Sequence, residues 1–446
     1  MRPRIGVLKS PLLRCCQSKL LVTLWILLTI VGIVVTAARI SAYHQTPGPF
    51  DPARQGFCDF HNGVYFPSLA FARGISPYSQ DYADTYPVSR QVPPYSPLII
   101  ALHVPFAWFP LAVAEVFYFF FMIFCVIAIA WILVRDTRDL PTKTVWACVW
   151  PVVAIIVWSR PGHVTLFNGY FTLELVLGAF IALSAARSRP WLAAIGIALA
   201  SGKPTYFLPL MALMMARGDY AAIIRGVILA TLGGLASMLW ITGLSTDSIT
   251  QIINDVLGGQ AVHMNDPLES PVTSWVRIDI AAVLAKVINR DLNELPQIGI
   301  MIFLLTIPTA ALWRNRHRFR HGGVTDLSGS LIVVSSIVAI YHNSYDAILL
   351  LAPLVGWASN RWECGQQNRR LDLAIAFSLL VAIFNPFSTL TFLQGFEGNR
   401  LVYQLVTSIN AIAIFIGAAL MLLRITRLSS VAADRAFETA TPTANA

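Results

Sequence analysis

The chain has 446 residues, of which 56% are hydrophobic and 12% charged, with a formal net charge of +9. A soluble domain carries roughly twice that share of charge, so disorder, a coiled coil and an ordinary soluble enzyme are excluded. A membrane-crossing helix takes ~20 apolar residues. A mean hydropathy of +0.64 therefore marks a polytopic membrane protein, whose basic balance belongs to cytoplasmic loops and not to nucleic-acid binding.

The basic N-terminus Met1–Lys19 precedes an apolar run over 20–40. No Ala-x-Ala site closes that run, so it reads as a retained first helix and not as a signal peptide. Cys15 and Cys16 lie just before it, as free thiols or palmitoylation sites. The six cysteines, Cys364 the last, form no CxxC pair and no zinc spacing. The next run, 98–134, is split by Pro105 and Pro110 into a short segment and a span from about 111. Further runs cover 145–158, 167–186, 190–216, 221–243, 296–313, 327–341, 346–359, 371–388 and 401–423. The run 190–216 is interrupted by Ser201-Gly202-Lys203-Pro204. This predicts two short helices, 190–201 and 204–216, that meet at Lys203 and do not cross independently. Each arm would be about 18 Å long against a ~30 Å hydrocarbon core. The expected fold is an all-α polytopic membrane protein with about 12 membrane segments, the broken pair included.

Orientation follows from the cations. Arg2, Arg4, Lys9, Arg14 and Lys19 put the N-terminus inside. Arg135, Arg138, Arg187, Arg189, Arg217 and the run Arg314–Arg320 then alternate onto the same side, as does Arg424. Both termini are expected in the cytoplasm, in a plasma (inner) membrane. Residues 1–428 form a single membrane domain, and the Ala/Thr-rich 429–446 reads as a disordered tail. Two long outer loops remain, about 41–97 and 244–295. The second has apolar residues at helical spacing (Ile252, Val256; Ile280, Val283, Leu284, Val287), which predicts short helices.

Ionisable groups at membrane depth are costly and mark function. Asp59 and His61 lie in the first outer loop, with Tyr65 close by. Arg160 and His163 fall in a tight turn between spans, Lys203 at the hairpin tip, and His342 and Asp346 in a late turn. All are expected on the outer side. Glu115 and Glu174 read as hydrogen-bonded inside the bundle, and Asp81 and Asp84 as solvated. A carboxylate beside cations suits glycosyl transfer from a polyprenyl-phosphate sugar, which needs a base for the acceptor hydroxyl and positive charge for the leaving phosphate. Rings of the first loop (Phe50, Phe57, Phe60, Tyr78, Tyr95) suit sugar stacking or lipid headgroups. There is no Gly-rich phosphate loop and no Ser/His/Asp order. One outer acid, Asp59, with no second acid in range argues against a metal, and no cofactor is expected. A transporter or flippase of an anionic or lipid-linked substrate, or a lipid-linked glycan ligase, would use similar groups.

The stretch Asp59-Phe-His-Asn-Gly-Val-Tyr65, followed by Ala70, Gly74, Tyr78 and Tyr95-Ser-Pro97, resembles the first outer loop of family 87 glycosyltransferases. The Lys203-Pro204 break and the turn from His342 to Asp346 resemble that family's later motifs. The resemblance implies a GT-C membrane enzyme of inverting type, using a polyprenyl-phosphate hexose, mannose in its best-known relatives, and a lipid or glycan acceptor. It places the catalytic base on Asp59. Lys203, Arg160 and His342 are then the donor-phosphate ligands, and His61, Tyr65, His163 and Asp346 line the substrate. Where members show Gly-Gln-x-Asn, this chain has Gly169-Tyr170-Phe171-Thr172, a departure that leaves sugar and acceptor open.

The topology is tested by cysteine labelling in intact cells. An impermeant reagent is expected to modify a cysteine introduced at Ser79 and to leave one at Arg318 untouched. The reverse pattern would invert the orientation.

Overall fold

Proline in the first turn and hydroxyl or carboxylate caps decide where the apolar runs become helices. The computed structural model describes residues 10–440 except 50, 90–92, 94, 138–139, 245–246, 265–268, 320–321, 363–367, 387–389 and 397. Arg2, Arg4, Lys9, Phe50, Arg138, Arg320 and Cys364 lie outside these residues. The main helices are α1 (Lys19–Ala42), α2 (Pro97–Ala107), α3 (Leu111–Thr137), α4 (Thr142–Trp158), α5 (Arg160–Asn168), α6 (Thr172–Ala185), α7 (Pro190–Ala200) and α8 (Pro204–Arg217). They continue with α9 (Tyr220–Leu244), α10 (Ile249–Met264), α11 (Ile280–Ile288), α12 (Glu294–Asn315), α13 (Leu327–Ala339), α14 (Leu351–Ala358), α15 (Arg369–Phe384) and α16 (Arg400–Ala440). No strand occurs among the described residues. Of the expected tail, residues 441–446 lie outside those described, and α16 runs on to Ala440.

Five helices among the described residues are long and apolar enough to cross a membrane: α1, α3, α9, α12 and the Arg400–Arg427 part of α16. The pair α4–α5 makes a sixth if it counts as one span bent by 71°. The other expected segments are helices too short to cross by length, among them α2, α6, α7, α13 and the stretch Ser344–Ala358. The two classes occupy different layers. Every residue of α13 is buried, whereas only 11% of the apolar window is buried in α9 and in α12. Of the long helices α1, α9 and α12 thus face outward with Leu, Ile and Phe, while α13 lies wholly in the centre.

The tight turn expected at Arg160–His163 is a helix. Ser159 adopts an extended conformation, its Oγ accepts from Gly162 N at 3.2 Å, and Pro161 fits the first turn, so the chain restarts as α5. The expected short helices of the second long loop are α10 and α11, the latter capped by Asp279.

The broken run forms α7 and α8, with Lys203 as the residue before α8. Their far ends come together, because Arg187 Nη2, just before α7, donates to the Arg217 carbonyl at 2.7 Å. The hairpin therefore returns to the end from which it started. Half-buried Arg187 and fully buried Arg217 share the buried carboxylate of Asp219, at 2.9 and 2.5 Å. Along its length α7 lies between α6 and α9 at glycine contacts. A Cβ on Gly178 would sit 2.8 Å from the Gly196 carbonyl oxygen, and one on Gly196 would strike the Gly178 carbonyl. Small residues permit this backbone approach, as is usual between membrane helices.

Gly196→Ala is expected to destabilise by about 1–3 kcal/mol through overpacking against rigid backbone, read as a lower thermal midpoint in detergent. Gly234→Ala, where an added Cβ meets open space, should leave the midpoint unchanged or slightly higher.

Candidate functional site

At the tip of the hairpin a buried carboxylate collects its donors from distant stretches of chain. Asp346 is fully buried, in the 3-10 turn Ser344–Leu350. Its Oδ2 accepts from His342 Nδ1 at 3.0 Å, from the Asn343 N–H at 3.0 Å and from Lys203 Nζ at 3.4 Å. Its Oδ1 accepts from the Tyr206 hydroxyl at 2.7 Å. Asn343 completes a capping box with Asp346. Lys203 is only 5% exposed. Its ammonium lies 5.4 to 6.0 Å from the ring centres of Tyr170, Tyr206, Tyr341 and Tyr345, within cation–π range. The structure thus brings Lys203, His342 and Asp346 together. His342 Nε2 is buried with no hydrogen-bond partner among the described residues.

The second long loop closes over this cluster. Ile278 N donates to the His342 carbonyl at 2.9 Å, and Ser344 N to the Val276 carbonyl at 2.7 Å. Between them Arg277, 2% exposed, grips Asp279 with two bonds of 2.9 Å and lies 4.9 Å from the centre of the Tyr341 ring. Burial alone would raise the Asp279 carboxyl, but Arg277 and the Ala282 N–H outweigh it and hold it below its ordinary range. The Tyr341 hydroxyl donates to Glu269 at 2.5 Å. Sequence reading missed Glu269, Arg277, Asp279 and the four tyrosines. The available signal was the Arg-Ile-Asp triplet at 277–279, in which flanking charges share one side of an extended chain.

Asp59 sits in the helical turn Cys58–Phe60 and is half-buried. Phe57, just before it, has φ +63°, a conformation rare for a bulky residue. It is held there by donating its N–H to the Phe167 carbonyl of α5 at 2.9 Å. Gly169, which ends α5 at φ +73°, is packed so closely that a Cβ would lie 2.7 Å from Phe60 Cβ. The following turn, His61–Tyr65, is a π-helix, a feature frequent at functional sites. Gly63 there abuts the rings of Tyr95 and Tyr170, and so joins the Asp59 segment to the Lys203 cage. The first-loop rings are not displayed to sugars or lipid. Phe57, Phe60, Tyr65, Tyr78, Tyr82 and Tyr95 are all buried, because they supply the core of a loop with little aliphatic content. The Tyr65 hydroxyl donates to the Phe109 carbonyl at 2.9 Å. Asp81 and Asp84 are exposed, in keeping with a solvated face.

Arg160 and His163 stand apart from Lys203, on the first turns of α5. His163 Nδ1 lies 3.2 Å from Thr36 Oγ1, and its Nε2 takes a short hydrogen bond from Arg39. Arg39 also covers the Phe167 ring at 5.2 Å. Arg160 feels the charge of Arg39, and among the described residues no carboxylate pairs with either. His61 belongs to another group. Its Nε2 meets Glu115 Oε1 at 2.6 Å, and His44 Nε2 meets the same oxygen at 2.9 Å. Glu174 hydrogen-bonds within the bundle as expected, with His103 at 2.9 Å and Tyr118 at 3.0 Å.

Long lipid-facing helices around short buried ones, with cations and carboxylates gathered where the short helices break, are the makings of a membrane enzyme that handles a charged substrate. The model of glycosyltransferase family 87 matches residues 94–339, more than half of the chain, and the chain belongs to that family of membrane glycosyltransferases. The matched stretch holds Arg160, Lys203 and Arg277. It begins after the Asp59–Tyr78 segment and ends just before His342. No curated protein matches the chain.

Removing the charge at Asp346 leaves Lys203 buried without its counter-ion, a loss typically worth about 3–5 kcal/mol. Asp346→Asn is expected to lower the thermal midpoint sharply. The double variant Lys203→Met/Asp346→Asn should recover part of the loss, and additive effects would argue against direct coupling.

Proposed function

We propose that this glycosyltransferase moves a hexose, mannose in the first instance, from a polyprenyl-phosphate donor to a lipid or glycan acceptor at the outer face of the plasma (inner) membrane. Asp59 is the general base. The acceptor O–H gives its proton to the Asp59 carboxylate as the oxygen attacks the anomeric carbon. The bond from that carbon to the phosphate oxygen breaks on the opposite face, and its electron pair leaves with the polyprenyl phosphate. The configuration inverts, and the departing phosphate gains negative charge.

The observation that carries this reading is α5. One nine-residue helix presents Arg160 and His163 at its start, and its Phe167 carbonyl fixes the backbone two residues before Asp59. The two ends are about 10 Å apart at 1.5 Å per residue. Guanidiniums without carboxylate partners suit a phosphate that becomes more anionic as the bond breaks. Arg160 therefore takes the donor phosphate, with Arg39 as a further ligand that the sequence did not suggest. Lys203, already matched by Asp346, serves the same phosphate together with His342 Nε2. His61, Tyr65 and Asp346 support these groups.

A general base contributes roughly 10²–10⁴-fold in rate. Asp59→Asn is expected to fold, to bind polyprenyl-phosphate mannose and to transfer the sugar at least ~100-fold more slowly. Asp81→Asn and Asp84→Asn should remain within a few-fold of the parent. Mass spectrometry of lipids after incubation with donor and candidate acceptors reads the outcome. Near-normal turnover in Asp59→Asn would remove that residue from the role, and loss of turnover in Asp81→Asn or Asp84→Asn instead would move the base there.

A further inference from the structure

His44 and Glu115 have no part in the chemistry above, and His61 only supports it. The cluster of these three is assembled from three elements: the residues after α1, the π-helical turn His61–Tyr65 and the second turn of α3. The ligand atoms, His44 Nε2, His61 Nε2 and Glu115 Oε1, lie within 4.8 Å of one another. Both imidazoles point at the same carboxylate oxygen, at 2.9 and 2.6 Å. The rings are 5.6 Å apart and inclined at 71°, so their nitrogens approach a common point from different planes. His61 Nδ1 is buried without a hydrogen-bond partner among the described residues, and the ring's hydrogen bond is through Nε2.

We propose that these three side chains bind one divalent transition-metal ion, zinc first. Two imidazole nitrogens and one carboxylate oxygen are a recurring zinc donor set, with ligand bonds of about 2.0–2.2 Å. A slight widening of the present 2.6 and 2.9 Å separations admits an ion between the three atoms. His61 is buried, but the side chains of His44 and Glu115 are 38% and 16% exposed. The fourth position therefore opens toward solvent and can take water or an anionic oxygen. In binding, the ion replaces any proton held at each Nε2, so metal uptake releases protons. The ion would tie the end of α1 to α3 through His61, two residues along the chain from Asp59. Sequence spacing hid this set because Glu115 is far from both histidines along the chain. The proposal does not depend on the assignment of Asp59 or of the donor.

The test is metal content of the full chain in nanodiscs, measured by elemental mass spectrometry after zinc loading and gel filtration in metal-free buffer. About one zinc per chain is expected, falling to background in His44→Ala and in Glu115→Gln and unchanged in His317→Ala. His44 is the most exposed of the three, so His44→Ala is the variant least prone to misfold. Cobalt loading supplies a second readout: the intense visible absorption of a four-coordinate site should appear in the parent and vanish in His44→Ala. No retained metal in the parent, or equal zinc in parent and both ligand variants, would overturn the site.

Discussion

A charge inside a low-dielectric interior must find partners or be neutralised, and the carboxylate of Asp346 imposes that condition on much of this molecule. An ionised carboxylate only accepts hydrogen bonds, and its donors come from Lys203, Tyr206, His342 and the Asn343 backbone. Lys203 and Tyr206 are held by the break between α7 and α8, and His342 and Asn343 by the turn after α13. These elements must therefore meet at one point. The backbones of Val276 and Ile278 then fasten the second long loop to the same turn, with Arg277 braced by Asp279 between them. The tyrosine cage is the apolar side of that arrangement, offering ring faces to the Lys203 ammonium.

Non-helical backbone at membrane depth survives only where protein or a cavity covers it. That rule accounts for the two layers of helices. The breaks at Ser159, at Gly202-Lys203 and at residues 340–344 all belong to short inner helices, and the long helices α1, α9 and α12 shield them from outside. Glycines at 178, 196 and 226 let α6, α7 and α9 approach closely enough for that shielding to work. The ionisable residues sit at the breaks because there the backbone is free to turn them toward one another.

The legible part of this design was the part written in apolar runs. The Pro105/Pro110 division, the arms on either side of Lys203 and the helices of the second loop all appear near the expected residues, since proline and the helical period act locally. Arg160 and His163 were assigned to a turn because nine polar and mixed residues do not resemble a span. The Ser159 cap and Pro161 nevertheless restart a helix there. The aromatic residues of the first loop were expected to be displayed, but burial competes for the same rings and wins when a loop has few aliphatic residues. Glu115 beside His61, Arg39 beside His163 and Arg277 beside Tyr341 are pairings across the fold. No periodicity within one segment encodes them.

The hairpin of α7 and α8 also bears on how the chain is made. Its arms have 11 and 14 residues, about 17 and 21 Å at 1.5 Å per residue. Neither is long enough to partition into a bilayer as an independent unit during synthesis. The loop between them carries an ammonium whose counter-ion, Asp346, lies 143 positions later. When the ribosome has just delivered the hairpin, that counter-ion has not been translated. Lys203 must spend this interval in the aqueous vestibule of the insertion machinery or at the bilayer edge. Final docking of the pair then becomes a late step, committed only after the turn at 342–346 has emerged.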